Sequence, residues 1–155
     1  TATVKDFWPY GYDERQYCSP GFNLPVGLFQ RSQYGEFPEY HTSADNLDFI
    51  SAEELSRSLD LVTQAITILE TNDTYLNLNP KGEPQLGRRG LYNLIGGEND
   101  SAALQLAILW VLNLSDGKHS LLDIAEKAAT PYKTILHANN LLIEAGLLAP
   151  ASADR

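Results

Sequence analysis

The chain has 155 residues, 43% of them hydrophobic, with a formal net charge of -9 and a pI near 4.6, so it can form one medium domain or two small ones. No run of about 18 apolar residues indicates a membrane span, no charged-then-apolar leader opens the chain, and the acidic balance disfavours phosphate-bearing partners such as nucleic acid. The single cysteine, Cys18, excludes an internal disulfide framework and fits a reducing cytoplasm, while the start at Thr1 and the absence of methionine read as a fragment, a processed chain or a trimmed one.

Residues 1 to about 50 are rich in Tyr, Phe, Gly, Pro and acids, and their long aromatic loops are unusual for mere connectors. Within them Leu24-Pro25-Val26-Gly27-Leu28-Phe29 reads as a short buried strand bounded by turn residues. Residues 51–72 predict a helix. Ser51 and Glu54 have capping-box spacing, and Leu55, Leu59, Val62, Ile66 and Leu69 recur on one helical face. Asn72 and Asp73 end it. Residues 73–97 form a Gly/Pro-rich connector, with a domain boundary expected near Gly96-Gly97.

Residues 98–150 predict three helices. The first runs from Asp100 or Ser101 to about Leu114, with Leu104, Ile108, Trp110 and Leu112 as core candidates, and Ser115-Asp116-Gly117 breaks it. Ser120 followed by Asp123 is a second capping signal, opening a short helix to about Ala129. Thr130-Pro131 is an N-cap plus a proline at the first helical position, and Gly146 stops the third helix after Ala145. A short helix, a tight turn and a longer helix make a helix-turn-helix, with a wing strand beginning at Leu147.

Two constellations carry candidate chemistry. In Phe37-Pro38-Glu39-Tyr40-His41-Thr42-Ser43-Ala44-Asp45, a histidine sits on a loop just before a capped helix. Neutral imidazole is a good zinc ligand, and Asp45 is near enough in sequence to orient its ring or loop. On the residues alone the plainer reading is favoured: a surface-loop histidine beside a turn-forming aspartate, since one histidine is not a metal site. In Gly11-Tyr12-Asp13-Glu14-Arg15, the two carboxylates precede the expected strand and can serve a proton relay. An acidic turn paired with Arg15 is again the plainer alternative.

Taken together and in order, these motifs resemble the end of the catalytic domain in zinc aminopeptidases and the related glutaminyl cyclases. Those proteins carry a Ser-Asp-His-type or Asp-Asp-His-type turn, a Gly-x-Pro-type strand, and a loop ending in His-Thr-x-x-Asp. Here the counterparts are Tyr12-Asp13-Glu14, Gly21-Phe22-Asn23-Leu24-Pro25-Val26 and His41-Thr42-Ser43-Ala44-Asp45. Asp13 through Gly21 and Glu83 through Tyr92 resemble more closely still a bacterial aminopeptidase-like family with a C-terminal winged helix, formerly catalogued as a domain of unknown function. Some of its members are labelled polysaccharide-biosynthesis proteins.

The resemblance implies an α/β fold: residues 1–97 as the C-terminal part of a zinc-aminopeptidase-like domain with its connector, then a winged helix over 98–155. It implies zinc as cofactor, His41 as the last zinc ligand, Asp13 as the supporting active-site carboxylate, and a peptide or amide substrate. Glu14 departs from the family pattern, standing where the usual turn has a histidine. A catalytic zinc takes about three protein ligands, and the other histidines, His119 and His137, have no ligand-like spacing to His41. The remaining ligands are expected upstream, in another part of the same protein, so this chain alone is not expected to be active.

Arg88-Arg89 can bind an anion or pin the winged helix by ion pairs, and the structural role is favoured. From Glu98 onward four basic residues face seven acidic ones, a net of -3, and the expected recognition helix offers only Lys133 and His137. DNA-reading helices bring several Arg or Lys, so docking or homo-oligomer formation is the expected role. The alternative for the whole chain is a scaffold without activity, or a winged-helix interaction or DNA-binding module.

Overall fold

Glycine, proline and serine punctuate the first 50 positions too densely for long regular elements. In the computed structural model, which describes residues 3–91 and 98–151, this region is a series of turns around one short helix, α1 (Glu14–Tyr17). It forms its own unit, Thr1–Glu54, and the rest of the chain forms a second, Leu55–Arg155.

The expected strand at Leu24–Phe29 is not formed, and no strand occurs among the described residues of the first unit. The segment instead folds back. Leu24 N–H donates to the Tyr17 carbonyl at 3.0 Å, and the Cys18 thiol lies 3.3 Å from the carbonyl oxygens of both Leu24 and Val26. Leu24 is 47% exposed and Phe29 57%. A strand needs a ladder partner, and a fully apolar one needs cover on both faces; neither is present here.

Helix α2 (Ala52–Thr71) forms where the apolar period predicts it. Its first turn is capped as expected, with Glu54 N–H donating to Ser51 Oγ at 3.2 Å. Arg31 secures the same turn, pairing with the Glu54 carboxylate and donating to its carbonyl at 3.1 Å. The predicted stripe is not buried. Leu59 is 66% exposed, Leu69 78%, and no residue of α2 is buried.

Residues 73–97 are more than a connector. β1 (Thr74–Asn77) is the central strand of a three-stranded antiparallel sheet, between β2 (Asp116–Ser120) and β3 (Leu148–Pro150). Tyr75 pairs with Pro150 and Asn77 with Leu148 on one side, and Thr74 with Ser120 on the other. A 3-10 turn at Leu86–Arg89 then sends Leu86 and Leu91 into the core. The boundary expected at Gly96-Gly97, like Tyr92 in the Glu83–Tyr92 motif, lies outside the described residues.

Helices α3 (Glu98–Leu114), α4 (Leu121–Ala128) and α5 (Tyr132–Glu144) complete the second unit. Ser115-Asp116-Gly117 ends α3 as expected and then enters β2, which the sequence did not show. Gly117 has φ 79°, a left-handed conformation that favours glycine, and a Cβ there would press on the Leu76 side chain at 3.0 Å. The Ser120–Asp123 capping box closes in both directions. At α5 the N-cap is Pro131, one residue later than expected. The Thr130 hydroxyl points backwards, donating to the Ala128 carbonyl at 3.1 Å, because Ala129 in the left-handed region has already turned the chain. Val111, Leu121, Ile135 and Leu142 meet in the core with no exposed surface. Asn139 is equally buried, and neither side-chain polar atom finds a partner. Among the described residues, no helix is long and apolar enough to cross a membrane.

Two carboxylates build the start of the wing, and both are held below the ordinary carboxylate range. Asp116 accepts from the Lys118 and His119 backbone N–H groups and from the His119 ring, and Asp123 accepts from the backbone and hydroxyl of Ser120. With folded values depressed, this stabilisation is fully present above the unfolded value of about 4 and is lost as pH falls through the folded values. Chemical denaturation at about pH 6 and about pH 3 should show a drop in stability that Asp123→Asn partly flattens.

Candidate active site

The turn at residues 11–17 holds Asp13 as the N-terminal residue of α1. Its carbonyl accepts from Gln16 N–H at 2.9 Å and Tyr17 N–H at 3.1 Å, while its carboxylate makes no capping bond. Glu14, the departure from the family pattern, has a structural task. Both of its carboxylate oxygens lie 3.0 Å from Tyr12 N–H. A Cβ on Gly11 would collide with that carboxylate, so a side chain there would displace the Glu14 carboxylate from this position.

The loop at 37–45 is a chain of tight turns. Tyr40 N–H donates to the Phe37 carbonyl at 3.3 Å, Thr42 N–H to Glu39 at 3.1 Å and Asp45 N–H to Thr42 at 3.2 Å. His41 sits at its bend with φ 57°, in the left-handed region. That conformation costs a non-glycine residue about 1–2 kcal/mol, and it persists because Thr42 Oγ1 ties the turns on both sides, to the Glu39 carbonyl at 2.8 Å and from Ala44 N–H at 3.2 Å. The imidazole is exposed, and among the described residues neither ring nitrogen has a hydrogen-bond partner.

Tyrosines join the two segments. The Tyr12 hydroxyl, next to Asp13, is hydrogen-bonded to the Tyr40 hydroxyl, next to His41. Tyr34 meets Tyr12 edge-on, with centroids 5.1 Å apart, and its hydroxyl donates to the Tyr10 carbonyl. The Tyr40 ring lies flat on the His41 ring, 4.0 Å apart with a 14° angle. The Tyr12 hydrogen bond, helped by desolvation, pushes the Tyr40 phenol up to about 12, so the Tyr40 hydroxyl stays protonated at neutral pH.

The structure thus brings the Asp13 and His41 segments together. Asp45 joins the loop through its backbone N–H, and its carboxylate makes no hydrogen bond to the His41 ring. Sequence reasoning missed Tyr12, Tyr34 and Tyr40. The available signal was a tyrosine directly preceding each motif residue, in a chain with 8 tyrosines. Beside the cluster lies a cleft of about 890 Å³ lined in part by Trp8, Tyr10, Glu14, Arg31, Tyr34 and Glu36.

His41 suits zinc as a single donor: an accessible imidazole with both nitrogens uncommitted. Among the described residues, no group of three or more His, Cys, Asp or Glu side chains comes together.

The arginine pair divides its roles. Arg89 Nη1 donates to the Ala145 carbonyl at 2.7 Å, capping the C-terminal end of α5, while Arg88 makes no polar contact among the described residues. Arg89→Ala should lower the stability of the second unit by about 1 kcal/mol, a modest value for an exposed bond from a charged donor, and Arg88→Ala should be neutral; urea midpoints check both.

Residues 1–72 match a family described as a domain of unknown function (DUF4910), and residues 73–150 match the winged helix-turn-helix family. A Clostridium acetobutylicum protein described as "Putative polysaccharide biosynthesis protein with aminopeptidase-like domain" is 52% identical over 94% of this chain, which spans 33% of that protein. A crystal structure of a "putative peptidase" from the same organism superposes with a TM-score of 0.80 at 48% identity, over 94% of this chain and 31% of the other. The chain therefore spans about a third of the length of these relatives. Through residues 73–150 it belongs to the winged helix-turn-helix family, and it shares both of its segments with aminopeptidase-like relatives.

Proposed function

We propose that this chain is the C-terminal portion of a zinc-dependent aminopeptidase-like hydrolase that cleaves peptide or amide bonds, with the other metal ligands and the general base supplied by further sequence of the same protein. The observation that carries this reading is the Tyr12–Tyr40 hydrogen bond, which joins the Asp13 turn to the His41 loop. The uncovered apolar side chains support it too: the α2 stripe and the segment around Leu24 and Phe29 are patterned for burial and exposed in this chain. The resemblance of the chain to larger relatives with an aminopeptidase-like domain agrees with that pattern.

In this reading His41 is one ligand of the metal, and the Asp13 carboxylate, free of capping bonds, takes a proton or holds the substrate amine. Zinc, when bound, polarises a carbonyl and acidifies a water. The winged helix serves protein contact rather than nucleic-acid binding, since the exposed face of α5 offers only Lys133 and His137.

The test is metal analysis and aminoacyl-amide hydrolysis with protein carrying the complete aminopeptidase-like domain. Stoichiometric zinc and hydrolysis that a chelator abolishes are expected. A metal-free protein with no hydrolysis after zinc addition sinks the proposal.

A further inference from the structure

We propose that Tyr40, held by Tyr12, is the positioning residue that sets the ring plane of His41 for metal binding; this rests on the reading of His41 as a zinc ligand. A metal-binding histidine ordinarily has its ring orientation fixed by a hydrogen bond from its second nitrogen to a carboxylate or carbonyl. His41 has no such bond: neither nitrogen has a partner among the described residues, and the Asp45 carboxylate does not reach the ring. The contact that constrains the ring is the stack on Tyr40, at 4.0 Å and 14°. Tyr40 is constrained in turn. Its hydroxyl is bound to that of Tyr12, its ring meets Phe37 at 5.7 Å, and Tyr12 is braced by Tyr34 at 5.1 Å and by the Glu14 carboxylate at its backbone. The line from Glu14 through Tyr12 and Tyr40 ends on the imidazole and leaves both nitrogens open. A stacked face restricts rotation about χ2 without occupying a lone pair, so either nitrogen remains available to a metal.

Zinc affinity by competition with a chromophoric chelator tests this, using protein with the complete aminopeptidase-like domain and thermal midpoints as the control for folding. Tyr40→Leu keeps apolar bulk and loses the flat face. It should weaken zinc binding by about 10- to 100-fold, the range seen when a ligand's supporting group is removed. Tyr40→Phe keeps the stack and loses the hydroxyl, and Tyr12→Phe removes the same hydrogen bond from the other side, so both should weaken binding only a few-fold and by equal amounts. If His41→Ala abolishes binding while all three tyrosine variants bind as wild type, the positioning role is overturned and the ligand stands. If His41→Ala binds zinc normally, the ligand reading itself fails. Should Tyr40→Leu not fold, unchanged affinity in both phenylalanine variants still overturns the proposal.

Discussion

His41→Ala is expected to abolish zinc retention and to lower aminoacyl-amide hydrolysis by about a thousandfold in protein carrying the complete aminopeptidase-like domain. The magnitude follows from two quantities. A catalytic zinc is held by about three protein ligands, so losing one removes a large share of the binding free energy. The metal contributes several kcal/mol of transition-state stabilisation, and about 4 kcal/mol is about a thousandfold in rate. Asp45→Asn is the informative contrast. Its carboxylate makes no hydrogen bond to the His41 ring, and the loop uses Asp45 through its backbone, so zinc content should stay at the wild-type level. Metal stoichiometry of the two purified variants decides the matter: retention by His41→Ala contradicts the proposed ligand role, and loss in Asp45→Asn contradicts a backbone-only role for Asp45.

Leu142→Ala is expected to destabilise the winged-helix unit by about 2–5 kcal/mol, the range for truncating a fully buried leucine. That is a large part of the about 5–15 kcal/mol that holds a domain folded. Leu142 has no exposed surface and lies in the core cluster, on α5 where it packs against α3 and α4. Asn139→Leu, one turn away on the same helix, should act in the opposite direction. Leucine keeps asparagine's branching at Cγ. The substitution removes two buried polar atoms without partners, which together cost about 1–3 kcal/mol, so a gain of that order is expected. Denaturant midpoints followed by the fluorescence of Trp110, which packs against this core, measure both; Trp8 is 72% exposed and reports little on it. A stabilised Leu142→Ala, or an Asn139→Leu that loses stability, would show that the core is arranged differently.

The candidate site was partly legible. Asp13 and His41 were singled out through the resemblance, the residues alone favouring the plainer reading, and the connection between their segments was not expected. It runs through tyrosine hydroxyls 28 residues apart in sequence, and no period or spacing rule relates Tyr12 to Tyr40. Asp45 looked like a ring-orienting partner because it is near in sequence; the turn at Thr42 uses its backbone instead. Glu14 looked like a departure from the family pattern, and its carboxylate proves to anchor Tyr12. For the arginine pair an ion-pair docking role was expected, and Arg89 instead donates to a helix carbonyl.

The sequence by itself determined the local features: where α2 starts at Ser51, the Ser120–Asp123 capping box, the stop at Gly146, and the helix-turn-helix. Each rests on hydrogen bonds or dihedral preferences within about four residues, which composition and spacing report directly. Only the tertiary structure decided the rest. Apolar period shows which residues of α2 share a face but not what covers it. Thr74–Asn77 became a strand because two distant edges, at Asp116–Ser120 and Leu148–Pro150, offered ladder partners. Leu24–Phe29 did not, because no partner strand lies beside it among the described residues. Burial and strand pairing are properties of two surfaces meeting, and a single stretch of sequence specifies one of the two.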